Sequence, residues 1–352
     1  MERKKGMMSL WPLRRLLPSV VDHRQVEKQT ARLLRELLEE RFIDKSHRPL
    51  PNLQYLQKNF FSILFLAVYR SVGISQQRRI FYGTINHAIR GIVTGTDNLL
   101  DDECKEMLPL RLPASACRFK SVMHILLFDR FLCRTIDEGI AAGLMGPEQR
   151  ELLQQQIFRV MVPIGEGEAS EEGGVSEIFT PREILSTVHS QKGGNLLRLA
   201  FVAPCLLETS LEKPLALADQ GIYRIGVALQ VIDDLTDFYQ DIDDRRHNYL
   251  MSVIRHEGSE AERKALSAAI AGGQPRTPVE MQFPASVRTV IGRAVGEALD
   301  GFGLLEQAGF WLSRRQAAQV IRYLFQLRGV GNLLTCWPSH GEFHDNLQVD
   351  AE

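Results

Sequence analysis

Gly226-Val-Ala-Leu-Gln230-Val-Ile-Asp233-Asp234-Leu-Thr-Asp237 is apolar until its end, where three carboxylates arrive within five residues. The run that leads into it, Ile222–Ile232, reads as a helix buried on most sides. On a helix, side chains four apart share a face, so Asp233 pairs with Asp237. Asp241 extends that face if the helix continues. Acid at a helix C-terminus opposes the macrodipole, which argues against a purely structural role. The pattern recurs upstream. His87–Leu100 is largely apolar and closes on Asp97-Asn98-Leu-Leu-Asp101-Asp102-Glu103, pairing Asp97 with Asp101. Like charges held this close repel unless a cation lies between them. Oxygen-only clusters suit Mg²⁺, which shares its shell with substrate phosphates. Two facing carboxylate walls are therefore expected to hold several Mg²⁺ ions against a diphosphate.

Outward from these clusters, helical periodicity dominates. Val26–Phe42, Leu53–Tyr69, Gln77–Leu100, Ala114–Ala142, Gln149–Val162, Pro181–Leu207, Ala216–Asp237, Glu260–Ala271, Pro284–Ala308 and Ser313–Val330 all read as helices. Thr180 before Pro181 suits an N-cap followed by proline at the first helical position. Strand signals are nearly absent. Gly165–Ser176 and Gly272–Ser286 read as loops, and neither has the length of a linker. The expected architecture is all-α, a single-domain bundle of about ten or more helices around a deep apolar cavity. Residues 1–25 form an N-terminal arm, 26–337 the domain and 338–352 a polar tail.

The 352 residues carry 42 Lys+Arg against 43 Asp+Glu, a net charge of -1. That balance gives no footprint for nucleic acid. Five scattered cysteines without CxxC spacing read as reduced thiols in a cytoplasmic protein. No stretch approaches the ~20 apolar residues of a membrane span. The basic, apolar segment Leu10–Val21 reads as an arm docked on the protein, with peripheral membrane contact as its other use.

The two acidic clusters make the chain resemble the trans-isoprenyl diphosphate synthase (polyprenyl synthase) family of class I isoprenoid enzymes. That family has two DDxxD motifs on facing helices. They correspond here to Asp97-Asn98-x-x-Asp101 and Asp233-Asp234-x-x-Asp237. Gly226 and Gln230 precede the second motif in the family's order, and Lys192 of His189-Ser-Gln-Lys-Gly-Gly-Asn195 stands where the family has its diphosphate-binding lysine. The resemblance implies Mg²⁺ held by Asp97, Asp101, Asp233 and Asp237, with Asp234 and Asp241 in second place. It implies diphosphate contacts from Lys192, Arg245, Arg246 and Arg90. It places Ile92 and Val93 at the gate of the prenyl pocket, with Phe61 and Gln230 on its wall. It also implies a homodimer.

The chain departs from the family at the second substrate's site. Family members that extend chains bind isopentenyl diphosphate through GKxxR and a pair of arginines. Here Gln57-Lys58-Asn-Phe-Phe61 keeps the lysine but has Phe61 for the arginine, and Glu106 and Met107 fall at the paired-arginine positions. Arg111, Arg78, Arg79 and Arg90 are the available substitutes. The expected function is therefore an enzyme that ionises one allylic prenyl diphosphate, a terpene synthase-type cyclase acting on a C15–C20 or longer chain. The alternative is a condensing prenyltransferase whose second diphosphate site is rebuilt. A non-catalytic partner subunit is the third reading, and intact aspartates argue against it.

Overall fold

The computed structural model describes residues 15–46, 50–272, 276–327 and 330–336. Among them are helices α1 (Leu17–Leu37), α2 (Asn52–Lys58), α3 (Phe60–Ser71), α4 (Gln76–Leu100), α5 (Cys117–Ala141) and α6 (Gln149–Ala169). A helical turn, Pro181–Glu183, runs into a π-helical stretch, Ile184–Asn195, and on into α7 (Leu196–Leu207). Then come α8 (Glu212–Thr236), α9 (Phe238–Asp244), α10 (Tyr249–Glu257), α11 (Glu260–Ile270), α12 (Pro284–Gln307) and α13 (Arg314–Leu327). No strand occurs among the described residues, only an isolated antiparallel bridge between Ile43 and Leu110. The all-α expectation holds. The helix 209–236 is long and apolar enough by length and composition to cross a membrane, against the sequence expectation, and 61% of its apolar window is buried.

Packing divides the chain into two compact units, each discontinuous in sequence. Unit 1 is the chain up to Ile157 with Leu199–Leu215; unit 2 is Phe158–Arg198 with the chain from Ala216 onward. The expected tail and most of the expected arm lie outside the described residues, and α1 already begins at Leu17.

In unit 1, α4 runs along α5, and α1 lies on α3 and α4. The close approach of α4 and α5 depends on Gly91, where a Cβ would stand 2.1 Å from Cδ2 of the fully buried Phe128. In unit 2, the π-helical stretch lies backbone-to-backbone on α8. A Cβ on Gly226 would stand 2.2 Å from the Gly193 carbonyl oxygen, and one on Gly193 2.5 Å from that of Gly226. The two glycines that looked like motif punctuation thus set the spacing of two helices.

Several boundaries differ from the sequence reading. Leu53–Tyr69 is two helices, broken at Asn59, whose buried amide turns back to the Tyr55 carbonyl at 3.2 Å. α6 continues through Pro163 into the Gly/Glu-rich segment, because Glu168 in its last turn is anchored on Lys192. α9 and α10 fall where no helix is expected; Asn248 caps α10 by accepting from Met251 N. The cap at Thr180 is present and reciprocated by Glu183, a capping box. The cysteines are not all free thiols. Cys104 and Cys117 form a disulfide, since the 101–116 connection returns the chain to within 5.5 Å, Cα to Cα. Spacing alone carries no sign of that return. Cys133 and Cys205 are not part of a disulfide.

Gly226→Ala should destabilise the protein by about 2 kcal/mol, because backbone atoms rather than a flexible side chain meet the new methyl. Gly296→Ala, in an open position of α12, should be neutral or gain up to about 1 kcal/mol from helix propensity. Urea unfolding of the two variants checks the contrast, and equal midpoints would contradict it.

Candidate diphosphate and metal site

The first acidic cluster ends α4 in unit 1, with Asp97 half-buried and Asp101 exposed. The helix is still intact there, the Asp101 amide donating to the Asp97 carbonyl at 2.8 Å, so the two carboxylates are successive turns of one face. Asn98, where the family has aspartate, is 2% exposed. Its amide makes a reciprocal pair with Lys105: Nδ2 donates to the Lys105 carbonyl at 2.9 Å, and the Lys105 amide donates to Oδ1 at 3.0 Å. A carboxylate could supply only the second bond. Asn98 and the Cys104–Cys117 disulfide together hold the turn that carries Asp101. Glu106 accepts from the buried Lys120 at 2.6 Å, and Phe61 packs edge-on against Phe60.

The second cluster ends α8 in unit 2. Asp233 is half-buried and Asp237 exposed, on successive turns as expected. The helix breaks at Asp237, and Asp241 belongs to α9. Asp234 points inward and is 3% exposed. Its Oδ2 accepts from His189 Nε2 at 2.9 Å and from the Tyr249 amide. Gln230 lies on Asp234 Oδ1 at 3.4 Å. Asn248 donates through one amide nitrogen to the Asp234 carbonyl and to Asp241 Oδ2, both at 2.7 Å. Burial, then the Asp234 and Asp237 charges, pushes the Asp241 carboxyl up to about 7 despite the Asn248 bond. Burial is the larger cause, and the neighbouring carboxylates add to it.

Lys192, on the π-helical stretch, is 11% exposed and bridges Glu168 at 3.0 Å and Glu171 at 3.1 Å. Burial alone would lower its pKa; the two carboxylates outweigh burial and the shift is upward. Arg245 closes α9 in the left-handed region, φ 53°, and donates to the Gly173 carbonyl at 2.7 Å. The Arg246 amide donates to the Asp241 carbonyl. His247 stacks on Phe179, ring centroids 4.2 Å apart.

The four substitute arginines separate clearly. Arg78 bonds Glu208, Tyr82 and two carbonyls, and Arg79 pairs with Asp22. Arg111 is exposed. Arg90 is half-buried on α4, about 10 Å along the axis from Asp97 at 1.5 Å per residue. Its contacts to Asn59 Oδ1, Ser62 Oγ and the Lys58 carbonyl are all 3.4 Å, and it makes no ion pair among the described residues. Ile92 and Val93 are half-buried just above it.

No family model and no curated protein matches the sequence. Solved structures do. The chain is similar to a decaprenyl diphosphate synthase from Rhodobacter capsulatus, TM-score 0.57 and 16% identity over 88% of this chain and 99% of that one. It is equally similar to a geranylgeranyl pyrophosphate synthetase from Pyrococcus horikoshii, TM-score 0.57 and 15% identity over 90% and 98%. A polyprenyl synthase from Caulobacter crescentus, solved with calcium and isoprenyl diphosphate, scores 0.55 at 14% identity over 90% and 96%. The fold is that of the trans-prenyl diphosphate synthases. At this identity the likeness reaches the helices and not the site. Sequence reasoning missed His189 and Asn248 as holders of the second cluster, although both stand beside residues it singled out.

Asp234→Ala should cost roughly 3 kcal/mol, since it strands the buried His189 ring and Tyr249 amide. Asp101→Ala and Asp237→Ala, both exposed, should stay within about 0.5 kcal/mol of the parent. Denaturant titrations separate the inward aspartate from the outward ones. Asn98→Asp should lose about 1–2 kcal/mol by setting a carboxylate against the Lys105 carbonyl.

Proposed function

We propose that the protein is a Mg²⁺-dependent prenyltransferase that condenses an allylic prenyl diphosphate with a second, smaller diphosphate. The fold it shares with prenyl diphosphate synthases supports this reading. The observation that carries it is Arg90. A partly buried cation with long contacts and no ion pair among the described residues is costly unless an anion is to be received there. Lys58, whose carbonyl Arg90 touches, is exposed and also makes no ion pair among the described residues. The pair thus replaces the arginines lost at Phe61, Glu106 and Met107.

The donor chemistry fits the metal. Asp97 and Asp101 in unit 1 and Asp233 and Asp237 in unit 2 are oxygen-only pairs, the donor set that suits a hard divalent cation. Bound there, Mg²⁺ would supply Lewis-acid stabilisation of the departing diphosphate. Lys192 adds a cation held in place by Glu168 and Glu171. Asp234, His189 and Asn248 fix the orientation of the second cluster. Arg90 and Lys58 hold the second diphosphate. Phe61, Phe65 and Tyr69 pack with Phe201 into an aromatic cluster in unit 1.

The cyclase reading keeps one support: Glu106 is committed to Lys120 and Phe61 to its aromatic neighbours, so neither contributes to a second diphosphate site. A homodimer is part of the proposal, since Phe119, Val122 and Leu126 leave an exposed apolar stripe on α5.

Purified protein with Mg²⁺ and geranyl, farnesyl or geranylgeranyl diphosphate should give a longer diphosphate only when isopentenyl diphosphate is added. Hydrocarbon or alcohol from the allylic substrate alone would replace this reading by the cyclase. Arg90→Gln should raise KM for isopentenyl diphosphate at least about tenfold, with a far smaller effect on the allylic KM.

A further inference from the structure

Arg90 has companions that neither the metal clusters nor the allylic diphosphate accounts for. His23 on α1 is 1% exposed. Its Nδ1 lies 2.6 Å from the Tyr55 hydroxyl oxygen, and that hydroxyl spends its one hydrogen on Glu27 Oε2 at 2.7 Å. The His23 Nδ1–H must then donate to Tyr55, which leaves Nε2 as a bare lone pair. It has no hydrogen-bond partner among the described residues. His87 on α4 lies 6.3 Å away, ring centroid to centroid, and its buried Nδ1 is also without a partner. Two unsatisfied imidazole nitrogens at one place in a buried core are rare without a ligand or water to meet them.

The charged and titratable groups around this pair are few. α1 brings Arg24 and Glu27, α2 brings Tyr55 and Lys58, and α4 brings Arg90; α5 presents Phe128, 5.6 Å from the His87 ring. Glu27 is the one carboxylate in this set, and it is bonded to Tyr55. Burial, then Arg90, lowers His23 to about 4. Burial, then His23, Arg90 and Lys58, lowers His87 to about 3. Both rings are therefore neutral at pH 7 while the site holds no anion. An anion between Arg90 and Lys58 would cancel the repulsion, and His87, three residues before Arg90 on α4, shares its face.

We propose that His23 and His87 join Lys58 and Arg90 in one anion site that takes a diphosphate group, and that filling it draws protons from solvent onto the imidazoles. This rests on the second diphosphate site proposed above and extends it. Protonated His23 would keep its Nδ1–H on the Tyr55–Glu27 chain and turn the new Nε2–H toward the anion. The sign follows: binding consumes protons, so affinity rises as pH falls.

The test uses the whole protein freed of metal with chelator, so that the carboxylate clusters do not bind, and inorganic diphosphate as the probe. Calorimetry in two buffers of different ionisation enthalpy counts protons. Inorganic diphosphate titrates too, and that part is common to every variant. The parent should take up more protons than His23→Gln or His87→Gln, and each variant should bind at least about tenfold more weakly at pH 6.5. Imidazole C2–H resonances of the parent, followed by NMR, give a reading that needs no variant: two histidines should move to the protonated position when diphosphate is added. If Arg90→Gln loses binding while both histidine variants keep the parent's affinity and proton count, the histidine proposal is overturned and the second diphosphate site stands. If Arg90→Gln binds like the parent, the site itself is wrong.

Discussion

The Asp234 carboxylate, 3% exposed, is held by a ring N–H from the π-helical stretch and a backbone amide from the start of α10. It sits between two aspartates that do not share its surroundings. A buried carboxylate is tolerable only when its oxygens are met by donors. Those donors come from two separate segments of unit 2, so satisfying Asp234 brings both onto α8. Asn248 repeats the device one layer out, tying the Asp234 carbonyl to Asp241 while capping α10. The outward aspartates of the cluster inherit their positions from this inward one. The glycine contact below it, Gly193 on Gly226, serves the same end by letting the π-helical stretch come near enough for His189 to reach.

Unit 1 solves the opposite electrostatic problem. There the hard-to-place charge is positive. Arg78 and Arg79 are neutralised by Glu208 and Asp22, as buried guanidinium groups usually are. Arg90 makes no ion pair among the described residues, and the one carboxylate that acts on it, Glu27, is bonded to Tyr55. Helix α4 thus carries carboxylates at its C-terminal end and an uncompensated cation two turns below. A diphosphate substrate with a metal-bound partner needs that polarity along one axis. A solvated helix end or a plain core helix does not.

The fold class and both acidic clusters were legible in the sequence because they rest on local signals: the 3.6 periodicity, an N-cap followed by proline, and carboxylates four apart. What was not legible depends on contacts between residues far apart in the chain. Nothing local separates Asp233 from Asp234, yet one is half-buried and the other is 3% exposed and held by His189 and the Tyr249 amide. Leu53–Tyr69 has unbroken helical periodicity, and the break at Asn59 comes from its amide turning back on Tyr55. The Cys104–Cys117 disulfide is invisible until the 101–116 connection is seen to return on itself. α9 and α10, seven and nine residues long, are too short for helical periodicity to mark them.

The same reasoning explains why the asparagine at position 98 is not a damaged aspartate. In a metal-binding motif a neutral amide reads as a lost ligand. In the fold that side chain faces away from solvent and must both give and accept a hydrogen bond at the Lys105 backbone. Asparagine does both, and a carboxylate does one while repelling the carbonyl. The substitution therefore trades nothing at the outward positions, where Asp97 and Asp101 remain. It tightens the turn that presents Asp101, which the Cys104–Cys117 disulfide then closes. Departures from a family's pattern have to be placed in the fold before they are counted against function: at Asn98 the departure is structural, while at Phe61 and Glu106 it removes charge, which the site proposed at Arg90 and Lys58 would supply.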